Sequence, residues 1–160
     1  MAILSIVTHP ADILEVVCDP VTEFNHELHI LLDDMYETMV AADGVGLAAP
    51  QIGIKKRIAV IDVGDKNGII ELINPTIIKA KGENTDIEGC LSFPNLYGTV
   101  SRAQIVKIKA QDRNGKEFKL KANDYLARAI QHELDHLDGV LFTTKVIEYV
   151  DEEDLESSEV

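Results

Sequence analysis

A chain of 160 residues can bury most of its apolar surface around one core, and with 46% apolar residues, few aromatics and no tryptophan that core must be aliphatic. Twenty-eight acids against fifteen bases give a net charge of −13, which repels a phosphate backbone unless a local basic patch overrides it. No stretch reads as a leader or a membrane span, and Cys18 and Cys90 lie far apart outside any C-x-x-C, so the expected setting is a reducing cytoplasm without a disulfide scaffold.

From Thr22 to Ala42 the residues Phe24, Leu28, Leu31, Leu32, Met35 and Met39 recur at spacings of three and four, the apolar face of a helix. GVGLAAPQIG follows, too rich in glycine and proline to continue it, and is expected as a close-packed loop. RIAVIDV (57–63) and IIELINPTIIKA (69–80) are rich in β-branched residues, and Pro75 predicts that the second is broken into two short strands. Around Asn114-Gly115, residues 105–122 alternate apolar and charged, which predicts an antiparallel hairpin with one wet face. Asn123 or Asp124 then caps a helix to about Leu137, with Gly139 placed to end it. Leu126, Ile130, Leu134 and Leu137 form its packing stripe; Tyr125, Ala129, His132 and His136 form another. The last thirteen residues, EYVDEEDLESSEV, hold seven acids and are expected as a solvated or weakly helical tail. The division expected is one domain over 1–147 and an acidic tail over 148–160.

QHELDH, residues 131–136, carries His-Glu-x-x-His on that second helix. The spacing brings two imidazoles within reach of one cation and leaves the glutamate beside the place where water is activated. A catalytic centre usually takes a third protein ligand. His26 and His29 sit among acids on the first helix and read as surface residues; His9 and the tail carboxylates remain as further candidates. Cys18, in the apolar VVCDP, reads as a small buried hydrophobe. Cys90, in DIEGCLSFPN, is expected in an irregular, exposed turn where a thiolate would suit a borderline metal, and is the best of the candidates. Three readings stay open on these residues alone: a hydrolase with a Cys/His/His metal, a metallopeptidase with a downstream ligand, and a binding module whose metal is structural.

Three segments, GVGLAAPQ (44–51), EGCLS (88–92) and QHELDH (131–136), together resemble the peptide deformylase family in order and spacing, over nearly the whole chain to about Phe142. The resemblance implies an α+β fold with antiparallel sheets, a long N-terminal helix and a C-terminal metal-binding helix. It implies removal of the formyl group from the N-terminal formylmethionine of nascent polypeptides, releasing formate. It makes Cys90 the third ligand beside His132 and His136, holding one divalent ion: commonly iron(II), with zinc, nickel or cobalt able to take the site. Glu133 is then the general base and later the acid toward the leaving amine. The Gln51 side-chain amide and the Leu91 backbone N–H are implied as donors to the oxyanion.

Gly46 joins this catalytic set, since Gly44, Gly46, Ala48 and Ala49 let a substrate backbone approach closely. Gly44, Val45, Tyr125, Leu126 and Ala129 are the candidates for binding the substrate and its methionine side chain. The implied partners are N-formylmethionyl nascent peptides and the ribosome, with the acidic tail arguing against RNA docking through the C-terminus. No membrane partner is expected, and a monomer is.

Overall fold

The structure is a computed structural model and describes residues 2–151. Helix α1 runs His26–Ala41; it starts four residues later than the periodicity predicts because the Asn25 side chain accepts the Leu28 N–H at 3.0 Å and fixes the cap there. Eight strands follow the chain: β1 Gly46–Ala48, β2 Ile58–Ile61, β3 Ile70–Lys81, β4 Asn84–Cys90, β5 Phe93–Arg102, β6 Ile105–Gln111, β7 Glu117–Asn123 and β8 Val146–Val150. Helix α2, Asp124–Leu137, lies between β7 and β8. All paired strands are antiparallel, in a five-stranded sheet β1-β2-β3-β6-β7 and a three-stranded sheet β4-β5-β8.

Every residue of β2 is buried, and alternate residues serve opposite faces of the large sheet. Ala59 and Ile61 join Val106, Ile108 and the α2 stripe Leu126, Ile130, Leu134 and Leu137 in one core. Ile58 and Val60 join Leu28, Leu32, Met35 and Met39 of α1 in a second. Each of the valine, leucine, isoleucine and methionine side chains among these contributes about 1.5–3 kcal/mol by leaving water. A third core of Leu14, Phe93, Val100, Leu141 and Phe142 belongs to the small sheet. Among the described residues no helix is long and apolar enough to cross a membrane.

Four expectations are corrected. GVGLAAPQIG is not all loop: Gly46–Ala48 pairs with β2, and Ala49–Ile52 forms a 3-10 turn closed by Gly53 at φ 81°. Pro75 does not split its segment, because the ladder to β6 skips from Ile73 to Thr76 and the missing N–H falls inside that bulge. Asn74, at φ 52°, takes the place of the ladder there: its side chain accepts the Val21 N–H at 2.8 Å and donates to the Val21 carbonyl at 2.9 Å and to Gln111 Oε1 at 2.7 Å. Cys90 ends a strand rather than lying in an irregular turn, since β4 and β5 form a hairpin that sequence periodicity does not announce. Glu148, Tyr149 and Val150 belong to β8, held by pairing with β5, so the first part of the expected tail is sheet. The rest of that tail, 152–160, lies outside the described residues.

Candidate active site

Residues from β1, the β4–β5 hairpin and α2 face a cleft of about 600 Å³. Three donor atoms, one each from Cys90, His132 and His136, lie within 4.8 Å of one another. The Cys90 Sγ stands 3.2 Å from His136 Nε2. His132 has its Nδ1 held by Glu88 Oε1 at 2.9 Å, which leaves Nε2 as the nitrogen available to a cation. The chemistry of this donor set, one soft sulfur and two imidazoles gathered from a strand end and one turn of helix, fits a divalent transition metal. The other early candidates are elsewhere: Cys18 is core, His26 is exposed, and His29 Nε2 bonds the Arg113 carbonyl at 2.8 Å. The His9 ring stacks on Phe93 with centroids 4.9 Å apart and is outside the donor cluster.

Behind His132 lies an ion network whose members are mostly distant in sequence. Glu88 accepts from Arg102 Nε and Nη2, both at 2.9 Å, and from Arg128 Nη1 at 2.6 Å. Arg128 also donates to the carbonyls of Val100 and Asn84, and Arg102 to Asp135. Burial alone would raise the Glu88 carboxyl, but hydrogen bonds from Arg102 and His132 hold it below the usual carboxylate range. The network thus delivers a fixed negative charge to His132 Nδ1 and orients the ring. Phe142, its ring centroid 5.8 Å from that of His132, backs it on the apolar side. Arg128 carries the one readable hint, because it lies one helical turn before His132.

Burial opposes a charge on His132, yet the neighbouring Cys90 and Glu88 raise it to about 10. In His136 burial prevails, assisted by His132, and the ring is held well below its ordinary value. Glu133 is 5% exposed, its Oε1 without a hydrogen-bond partner among the described residues, and burial lifts its carboxyl to about 7 against the pull of His132. A buried carboxyl poised there can take and return a proton at neutral pH.

Gln51 is 1% exposed and pinned at both ends of its amide. Its Oε1 accepts the Ala48 N–H at 2.9 Å, while Nε2 donates to Ser92 Oγ at 3.1 Å and reaches Cys90 Sγ at 3.6 Å. Ser92, missed as a site residue, donates in turn to the Val7 carbonyl at 2.7 Å. Gly44 admits Leu91, since a β-carbon there would lie 2.7 Å from Leu91 Cδ1. Gly44, Val45, Gly46, Gln51, Cys90, Leu91, Tyr125, Ala129, His132 and Glu133 all line the cleft. Leu126 is the correction within the set: it packs into the α2 core beside Ile130 and does not line the cleft, because it belongs to the helix's opposite stripe.

A family model described as polypeptide deformylase matches residues 3–152. The chain belongs to the peptide deformylase family. It is 58% identical over 159 residues to peptide deformylase 1 of Bacillus subtilis (strain 168), with 99% of each chain covered. A peptide deformylase crystal structure from Legionella pneumophila superposes with a TM-score of 0.87 at 46% identity, covering 90% of this chain and 86% of that one. Another, from Acinetobacter baumannii with actinonin bound, gives 0.86 at 33% identity, covering 90% and 98%. The antiparallel sheets and the two helices described above are therefore the deformylase fold.

Proposed function

We propose that this protein hydrolyses the N-formyl group from the N-terminal formylmethionine of nascent polypeptides, releasing formate, with a divalent cation held by Cys90, His132 and His136. The observation that carries this reading is the donor cluster beside a buried carboxyl, Glu133, in a cleft open to a peptide. The cation, when bound, supplies Lewis acidity that polarises the formyl carbonyl and acidifies water. The donor set suits iron(II), and zinc, nickel or cobalt as well.

Glu133 takes a proton from the water whose oxygen attacks the formyl carbon. Negative charge that develops on the carbonyl oxygen is met by the Gln51 Nε2–H and the Leu91 backbone N–H. Glu133 then gives its proton to the departing nitrogen as the C–N bond breaks, leaving formate and a free amino terminus. Pinning of the Gln51 amide by Ala48 and Ser92 supports this role, because it takes one of the two Nε2 hydrogens and aims the other, which reaches toward Cys90 Sγ, into the donor cluster where charge appears. Val45 and Ala129 supply apolar surface for the methionine side chain, with Tyr125 at the rim, 53% exposed.

The test is formate release from formyl-Met-Ala-Ser by protein purified without oxygen and loaded with iron(II) or nickel(II). Glu133→Ala and Cys90→Ala serve as controls. Metal-dependent release lost in both variants is the expected result. A folded, metal-loaded protein that releases no formate would refute the reading.

A further inference from the structure

The chain is strongly acidic, yet six of its lysines gather on one sheet surface: Lys79 and Lys81 of β3, Lys107 and Lys109 of β6, Lys119 and Lys121 of β7. All six are exposed. Strand register makes the gathering regular. Lys79 lies opposite Lys107, and Lys107 opposite Lys121, a row of three; Lys109 lies opposite Lys119 in the next row. Partners in register point to the same face, so the ammonium groups form a grid spaced about 4.8 Å across strands and about 6.7 Å along them. Between these lysines, Val106, Ile108 and Ala110 point the other way, into the core under α2. The lysine face is therefore the back of the sheet that carries the catalytic helix. Helix α1 covers that back face over β2 and the near end of β3, and leaves the grid bare.

Like charges placed directly opposite one another destabilise a sheet, so a row of three lysines is not what folding alone selects. Of these six, only Lys109 has a carboxylate partner among the described residues, Glu117 at 3.4 Å. A single small anion would answer one or two of these charges. A chain of regularly repeated phosphates answers the grid as a whole.

We propose that the lysine face formed by β3, β6 and β7 is a docking surface for the phosphate backbone of RNA. Lysine, a point charge without the fork of arginine, and the absence of tryptophan, phenylalanine or tyrosine from the face fit backbone contact rather than base reading. Ile77 and Ile78 are the exposed apolar side chains of β3 beside Lys79, and two isoleucines do not make the continuous inserting face that joins a basic surface at a lipid membrane. This surface lies on the opposite side of the sheet from α2, so docking leaves the cleft open. The binding does not depend on the proposed deformylation, but the two belong together, since a nascent chain emerges from an RNA-rich particle.

The experiment uses the full chain and a fluorescently labelled RNA hairpin, followed by anisotropy over a series of salt concentrations. Wild-type protein is expected to bind at low salt, with affinity that falls linearly on logarithmic axes. Lys79→Gln/Lys107→Gln/Lys121→Gln is expected to weaken binding at least about tenfold at low salt and to lower the salt slope by about one unit per lysine removed. The corresponding triple arginine variant is expected to retain binding, and Lys55→Gln/Lys66→Gln to leave it unchanged. Thermal unfolding checks that each variant is folded, independently of turnover. Wild-type affinity in the folded glutamine variant would overturn the proposal. So would a wild-type protein that ignores the hairpin, including one that binds phosphatidylserine vesicles or polyglutamate instead.

Discussion

The α-carbon of Gly46 faces the carboxyl group of Glu133 so closely that a β-carbon at position 46 would lie 2.5 Å from Glu133 Oε2 and 2.9 Å from Cδ. Glycine at this point of β1 is what allows a buried carboxyl to stand where it does, since strand β1 and helix α2 cannot both move aside. Gly46→Ala should displace Glu133 and lower kcat on the order of 10²-fold, the effect of a misplacement of about 1 Å. Metal content should be unchanged, because the three atoms nearest that β-carbon all belong to Glu133 and none to a donor residue. A variant with full kcat would mean that Glu133 has room the packing denies.

Glu88→Gln should harm both stability and metal retention. The substitution leaves Arg102 and Arg128 buried without their shared carboxylate, a loss of about 3–5 kcal/mol for a broken buried ion pair. It also removes the charge that orients His132, for which a 10–100-fold loss of metal affinity is typical. Denaturant unfolding measures the first effect; competition with a chelator measures the second. An unfolding midpoint equal to wild type would show that the network carries no net stability.

Stripping the metal should lower the melting temperature. A cation that binds only the folded state at a hundred times its dissociation constant adds about 2.7 kcal/mol, all of which a chelator withdraws. Differential scanning calorimetry with and without chelator reads the shift directly, and Cys90→Ala should be insensitive to the same treatment. A chelator shift that persists in Cys90→Ala would exclude the thiolate from the donor set.

Asn74→Ala should cost about 2–4 kcal/mol, and because Asn74 does not line the cleft it should leave turnover of the folded enzyme unchanged. Three side-chain hydrogen bonds to Val21 and Gln111 vanish, at about 1 kcal/mol each, and alanine is strained at φ 52°. Asn74→Gly should lose the hydrogen bonds alone and unfold at higher denaturant than alanine. The reverse order would remove backbone strain from the account.

What the sequence made legible follows from how local each signal is. Helix α2 was readable because its stripe repeats within fourteen residues, and its amphipathic pattern separates Leu126 and Ile130 from His132 and His136. The β6–β7 hairpin was readable from Asn114-Gly115 and the alternation on either side. Strand β4 was not: NTDIEGC has almost no apolar residues, and it is a strand because β5 pairs with it and because Arg102 and Arg128 draw Glu88 inward. The second layer of the site was unreadable for the same reason. Glu88 meets Arg102 fourteen residues away and Arg128 forty residues away, and no window of sequence shows such a pair.

Cys90 and His136 are separated by 46 residues and reach one another only because the β4–β5 hairpin is docked against α2. That separation fixes when the cation can arrive. In a short zinc module the ligands are local and the metal nucleates the fold. Here a ribosome must have released both segments, and the aliphatic cores must have joined them, before all three donors stand together. On the proposed reading, a cation is therefore taken up after the cores have formed and does not nucleate them.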